Sequence, residues 1–365
     1  MAKIKIAVIF GGKSSEHEIS LISAKNVMDA LDKEKYDIFP IGITKDGDWF
    51  FEKDYQKFIA DPDDARKVRL VTDDAEKCAL ANRILTNIAS DQDIAEIDAA
   101  FPVLHGTNGE DGTMQGLLKL ANIPFVGASV LGSAIGMDKD PMKRLLRDAG
   151  IPISKFITFS QNNEVNFEKA QDKLGLPMFI KPANSGSSVG INKAHNKEEF
   201  EKFVAEAFKY DSKIIIEEMI KGKEIEVSVL GNENPTASLP GQVIPHHEFY
   251  DYEAKYIDEN GASFEIPVKL PEDQVELIQK TAINAFKTLC CEGMARVDGF
   301  LTNDGRFFIN EINTIPGFTK ISMYPKLWAA SGLPYSKLLD KLIELAIERF
   351  NREKKIEENY SEINK

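Results

Sequence analysis

The stretch from Met294 to Asn313 holds two carboxylates, an amide and a guanidinium at spacings that bring them together. Asp304-Gly305 is a strong signal for a two-residue hairpin loop, and the apolar runs on either side read as the strands it joins. With that loop, Asp298 stands opposite Glu311 and Arg296 opposite Asn313. Opposed side chains share a face, and period-two alternation puts Arg296 and Asp298 on the same one. Two facing carboxylates repel unless positive charge lies between them, and all-oxygen Asp, Glu and Asn ligation suits a hard cation such as Mg²⁺ or Mn²⁺. Phe300 and Ile309 are expected to floor that face. The plainer alternative is a solvated hairpin face, which an apolar floor argues against.

A second chemistry belongs to phosphate. After the run PMFIKPA, the segment Asn184 to Gly190 (NSGSSVG) combines small residues, hydroxyls and two glycines, so its backbone N–H groups can approach an anion closely. Lys181 lies just before it. Lys139 stands next to an expected helix start, where the N-terminus already favours phosphate. Taken singly, the loop reads equally as an ordinary mobile loop and the lysine as a solvated one; the loop fits neither the P-loop nor the dinucleotide pattern. Pro245 to Gly261, which contains FYDYEAKY, is dense in aromatics for a surface loop and reads as a lid that excludes water. His246 and His247 have no third ligand nearby and receive no role.

The elements that must position these groups follow from periodicity. The first third alternates KIKIAVIF, a helix through ISLISAKNVMDAL, DIFPIGIT, IDAAFPVLHG and IPFVGA, which predicts a parallel α/β sheet. Residues 59–93 carry weak, acidic signals and read as an elaboration of that domain, to which no function is assigned. After a break near Gly127, a helix starts at Asp140-Pro141 and stops at Gly150 and Pro152. KFITF, PMFIKPA and KIIIEEMI read as strands, with an amphipathic helix in EEFEKFVAEAF. IEVSVLG, the hairpin and a helix through LLDKLIELAIERF follow, and the charged end NREKKIEENYSEINK is expected to fray. The domains read as 1–127, 128–217 and 218–365.

At 365 residues the chain is long enough for two or three domains. Its net charge of −13 argues against nucleic-acid or anionic-membrane partners. No apolar run reaches bilayer length and the opening lacks a cleavage signal, so a soluble, cytoplasmic protein is expected. The 3 cysteines include adjacent Cys290 and Cys291, placed on a helix through IQKTAINAFKTLCCEG and read as core. They form no disulfide framework or zinc spacing.

Together, GGKSSEHEIS (11–20), LHGTNGEDGTMQG (104–116), MDK (137–139), KPANSGSSVG (181–190), FYDYEAKY (249–256), ARVDGF (295–300) and NEINTIPGFTKISMYP (310–325) resemble the D-alanine–D-alanine ligases of the ATP-grasp superfamily, over nearly the whole chain. The resemblance implies a Rossmann-like N-terminal domain followed by a two-domain ATP-grasp fold, with ATP between the latter two. It also implies ATP-driven ligation of two D-alanines through an acyl phosphate for peptidoglycan, and a homodimer. Asp298, Glu311 and Asn313 then match the ligands of two Mg²⁺ (or Mn²⁺) ions. Lys139 and Lys181 match phosphate-binding lysines, with Ser188 in the 184–190 loop that follows Lys181. Glu224 matches the acid on the ATP ribose, and Glu217, Glu218 and Ile220 the adenine-binding linker.

For the amino acids, the resemblance assigns Glu16 to the ammonium of the first D-alanine and His105 to its border. Arg296 and the Gly317 N–H would stabilise the tetrahedral oxyanion. Lys255, Ser322 and the Met323 N–H match the second substrate's carboxylate site, and Ser187 and Tyr256 a pair that hydrogen-bonds with Glu16. Two other classes compete. A dinucleotide-binding oxidoreductase would need G-x-G-x-x-G, which GGKSSE lacks. A non-catalytic relative could lose metal ligands or the oxyanion arginine, and all are present here. Among enzymes, the nearest competitor makes D-alanyl-D-lactate; Tyr256 in DYEAKY fits the dipeptide-forming pattern.

Overall fold

The computed structural model describes residues 2–186, 189–246 and 261–363. It is a mixed α/β and α+β chain built on three main sheets. The first has seven strands in the order Gln92–Glu96, Ile84–Asn87, Glu76–Ala81, Trp49–Phe51, Tyr36–Ile43, Ile4–Gly11 and Ala99–Val103. Its sixth strand, Ile4–Gly11, pairs in parallel with both neighbours. It is apolar throughout because both faces are covered: Ile6, Val8 and Phe10 enter one core, Ala7 and Ile9 another.

The parallel sheet expected from the sequence is three of the seven strands that form. The weakly patterned 59–93 segment supplies three antiparallel strands, plus a short pair of Ile59–Ala60 with Arg69–Leu70. Glu76–Ala81 buries only Cys78 and Leu80, in alternation, which is why its apolar signal is thin. IPFVGA was expected as a strand and forms a single bridge, Phe125 to Ala100. The carbonyls of Phe125 and Gly127 instead accept from Arg349 at 2.8 and 2.6 Å.

The middle of the chain forms a four-stranded antiparallel sheet in the order Phe156–Ser160, Lys213–Glu218, Met178–Pro182, Asn192–Ala194. Helices Phe167–Leu174 and Lys197–Ala207 close its own core around Ile180, Phe200 and Ile216. The expected helix spans Lys139–Asp148 and is capped by Asp138, whose side chain accepts from the Asp140 N–H at 3.1 Å. A helix at Val130–Met137 precedes it, unforeseen because its VLGSAIGM sequence has no polar face.

The third sheet is antiparallel and runs Ala262–Glu265, Gly241–Pro245, Gly222–Gly231, Gly293–Thr302, Phe307–Asn313, with Thr236–Ala237 beside Gly222–Gly231. Helix Glu272–Thr288 packs behind it. It stops before the cysteines: Cys290 turns with φ +55° and is exposed, while Cys291 is buried. Cys290 is thus not a core residue. The last helix, Tyr335–Ile363, includes most of the charged end that was expected to fray; no Gly or Pro interrupts it. Its Leu338, Leu339, Leu342 and Ile343 complete the core of the first sheet. Among the described residues no helix is long and apolar enough to cross a membrane.

The hairpin reaches the expected register by another route. Thr302 N–H bonds Arg306 O at 2.9 Å, so the loop has three residues, Asn303 to Gly305, with Gly305 at φ +82°. A bulge between Asp298 and Gly299, with Asn310 as the extra residue opposite, then restores the pairs Asp298–Glu311 and Arg296–Asn313. The bulge turns Ile309 into the core behind the sheet, so Phe308 rather than Ile309 stands beside Phe300.

Candidate active site

Cross-strand register sets three rows on the front of the third sheet: Ser228, Arg296, Asn313; then Glu226, Asp298, Glu311; then Glu224, Phe300, Phe308. The middle row puts three carboxylates side by side. Arg296 relieves the crowding: its Nε and Nη2 donate to Asp298 Oδ1 and Oδ2, both at 2.7 Å, and Nε lies 3.0 Å from Glu226 Oε2. Lys139, the first residue of its helix, reaches Glu311 at 3.4 Å and donates to Ser185 O at 2.8 Å. Asn313 Oδ1 is buried without a hydrogen-bond partner. An unsatisfied amide oxygen beside two carboxylates is the donor set a hard cation takes. Among the described residues no group of three or more His, Cys, Asp or Glu side chains is arranged for a metal, so the set here needs the amide.

Two cavities meet at Glu311. The smaller, about 110 Å³, gathers Glu16, His105, Lys139, Arg296, Asn313, Gly317, Ser322 and Met323 from all parts of the chain. A Cβ on Gly106 or Gly186 would stand 2.8 or 2.9 Å from Glu16 Oε2, so both glycines lie close against that carboxylate, where the first domain meets the 184–190 loop. Two further acids, Glu110 and Glu226, line this cavity and were not foreseen. Glu110 accepts from Gly106 N–H at 2.6 Å and Ile315 N–H at 3.3 Å. Burial, then the nearby Glu16 carboxylate, push its carboxyl up to about 8. Burial lowers His105 to about 4, so its ring is neutral. Acids on one side and a guanidinium on the other suit a small zwitterion.

The larger cavity, about 350 Å³, brings together Lys181, Glu217, Glu218, Ile220 and Glu224 between apolar walls that include Phe179, Met219, Phe300 and Phe308. It fits a ligand with a flat ring at one end and anionic charge at the other. Lys181 donates to Glu217 Oε2 at 3.0 Å and to Asn310 Oδ1 at 3.1 Å. The other oxygen of Glu217 faces fully buried Lys143 at 3.1 Å. Burial raises the Glu217 carboxyl, but Lys143 and Lys181 outweigh it and hold the group at about 2. Lys143 itself is lowered by burial.

The sequence offered signals for the missed residues. Lys143 follows Lys139 by four positions on the same buried stripe as Met142 and Leu146. Glu226 follows Glu224 by two in a strand, which places it on the same face. Ser187, Ser188, Lys255, Tyr256 and nearly all of the expected lid lie outside the described residues. His246 is described, and its Nε2 lies 3.1 Å from Ser263 Oγ.

Comparison with known proteins accounts for this arrangement. Residues 5–128 match the family model described as D-ala D-ala ligase N-terminus, and residues 145–344 the one described as D-ala D-ala ligase C-terminus. A D-alanine–D-alanine ligase of Oceanobacillus iheyensis is 51% identical over 99% of this chain and 100% of its own length. The D-alanine–D-alanine ligase structure from Coxiella burnetii superposes with a TM-score of 0.88 at 42% identity, covering 99% of each chain. The VanG D-Ala:D-Ser ligase from Enterococcus faecalis superposes at 0.81 with 38% identity, over 94% of this chain and 100% of its own.

Proposed function

We propose that this chain, which belongs to the D-alanine–D-alanine ligase family, joins two D-alanines through an acyl phosphate formed from ATP, releasing ADP and phosphate and supplying D-alanyl-D-alanine for peptidoglycan. The carrying observation is that the ring-and-anion cavity and the zwitterion cavity share Glu311, so a γ-phosphate and a substrate carboxylate can meet there. Phosphoryl transfer of this kind needs positioning and charge neutralisation more than a protein nucleophile.

Each side chain has a role in that reading. Glu217, Glu218 and Ile220 border the adenine, Glu224 takes the ribose, and Lys181 and Lys139 bind phosphates. Lys181 is aimed by Glu217 and Asn310 before any nucleotide arrives. Asp298, Glu311 and Asn313 would hold two Mg²⁺ ions, which when bound neutralise phosphate charge. Glu16 takes the ammonium of the first D-alanine. Arg296 and the Gly317 N–H stabilise the oxyanion when the second amine attacks the acyl carbon, and Ser322 and Met323 N–H receive the second carboxylate. Lys255, Ser187, Ser188 and Tyr256 complete the set on the family pattern. Domains at 1–127, 128–217 and 218–365, a cytoplasmic location and a homodimer belong to the same reading; light scattering tests the dimer.

Phosphate release from ATP and Mg²⁺, measured with D-alanine, L-alanine, D-serine and D-lactate separately and in D-alanine pairs, tests the function. D-alanine alone should support turnover and yield the dipeptide by mass. A product formed only when D-serine or D-lactate is added would replace the D-alanine acceptor.

A further inference from the structure

We propose that Ser23 and Glu110, side chains of the first domain, are positioning residues that clamp the turn Ile315–Phe318 and so fix the Gly317 N–H at the wall of the amino-acid cavity. The inference rests on the reading of Gly317 as an oxyanion donor. This turn follows the strand Phe307–Asn313, contains Pro316 and Gly317, and has no ladder of its own to hold it. It is gripped from residues far away in sequence. Glu110 Oε1 accepts from Ile315 N–H at 3.3 Å, and His105 Nδ1 lies 3.1 Å from Ile315 O. Ser23 Oγ accepts from Phe318 N–H at 3.2 Å, and His105 Nε2 lies 3.1 Å from the same oxygen.

Ile315 O can only accept, so Nδ1 of His105 carries the ring proton and donates to it. Burial keeps the ring neutral, which leaves Nε2 bare; Ser23 Oγ gives its hydrogen to that nitrogen while accepting from Phe318 N–H. Phe318 O is held as well, by Asn26 Nδ2 at 3.3 Å and Tyr335 OH at 3.1 Å. Both peptide ends that flank Pro316-Gly317 are thus pinned, chiefly by the first domain. A Cβ at Gly317 would stand 2.7 Å from Ser322 Oγ, so the glycine lets the turn lie close against Ser322. A donor to a developing oxyanion works only when pre-aimed, and a misplacement on the order of 1 Å can cost about a hundredfold.

The chemistry separates this role from a merely structural one. Transfer of the γ-phosphoryl group breaks the bond to ADP and forms the acyl phosphate without an oxyanion at carbon. Attack of the second amine creates that oxyanion, and its collapse expels phosphate. With ATP carrying heavy oxygen in the β–γ bridge, reversal of the first step moves label into non-bridging positions. In the full-length protein with Mg²⁺ and D-alanine, Ser23→Ala should lower dipeptide turnover about tenfold or more. It should leave the melting temperature and the KM for ATP near those of the parent, and raise label scrambling per turnover several-fold. Glu110→Gln, which keeps one acceptor oxygen, should move the same ratio by less. A scrambling ratio equal to the parent's in both variants would overturn the clamp, as would parallel loss of melting temperature and both partial reactions. If the parent neither scrambles label nor forms dipeptide, the ligase reading itself fails.

Discussion

The two cavities bury charge in opposite ways. In the larger, the deepest acid is matched: Glu217 lies between Lys143 and Lys181, and Glu218 faces Lys155 at 3.4 Å. The acid there is held ionised, at about 2. In the smaller, Glu226, Asp298 and Glu311 share Arg296 and Lys139, while Glu110 beside Glu16 is pushed up to about 8 and carries its proton at neutral pH. One region settles its charge within the protein before a ligand arrives. The other keeps acids in excess, as a site must if cations, metal or ammonium, are to complete it.

The sharpest break of this contrast is Lys143→Met, which removes one partner of a fully buried pair. We expect a loss of about 3 kcal/mol in denaturant unfolding, the usual scale for an uncompensated buried charge. Glu217→Gln in the same chain should restore part of it. A loss below about 1 kcal/mol would mean that Lys181 alone suffices.

Arg296→Lys tests the other region. A point charge cannot reproduce the bidentate grip on Asp298, so kcat should fall on the order of a hundredfold with substrate affinity changed far less. If steady-state kinetics show the apparent affinity for D-alanine collapsing while turnover at saturation survives, Arg296 is a binding residue.

The two carboxyls also predict opposite pH slopes. Glu110 is raised in the folded state, so its contribution is full below about 4.5 and is lost as pH rises towards about 8. Glu217 is lowered, so its contribution is present above about 4.5 and lost as pH falls towards about 2. Unfolding measured across that range should show both declines, and Glu110→Gln should flatten only the alkaline one. The smallest effect belongs to the hairpin that lines both cavities. Gly305→Ala at φ +82° should cost about 1–2 kcal/mol, yet leave kcat unchanged because the bulge, not the loop, sets the site's register. A matching fall in kcat would tie the site to the loop.

The hairpin also illustrates what the sequence discloses. Asp298 opposite Glu311 was legible from alternation and Asp304-Gly305, but through two errors that cancel. A three-residue loop and a one-residue bulge shift the register in opposite senses, and nothing in the alternating pattern marks either; Ile309, read onto the wrong face, is the residue that exposes them. Helices and strands with full apolar stripes were legible, as at Ile4–Gly11 and Lys197–Ala207, whereas half-covered strands such as Glu76–Ala81 were not. The family pattern named Glu16 and Gly317. Glu110 and Ser23 became visible only in three dimensions, because their partners lie far off in the chain: Ile315 and Phe318.

The last helix carries one more consequence. Leu338, Leu339, Leu342 and Ile343 lie in one hydrophobic core with Ile6, Val8 and Phe10, and Arg349 fastens the end of the first domain through Phe125 and Gly127. On the ribosome, the first sheet therefore emerges with an apolar face that nearby sequence, Leu21, Val27 and Met28 among it, covers only in part. That face waits for residues more than 300 positions later, while the middle sheet, with its separate core, can close as soon as it is made. The segment synthesised second is free to fold first, and the oldest part of the chain is the part most in need of protection until synthesis is nearly done.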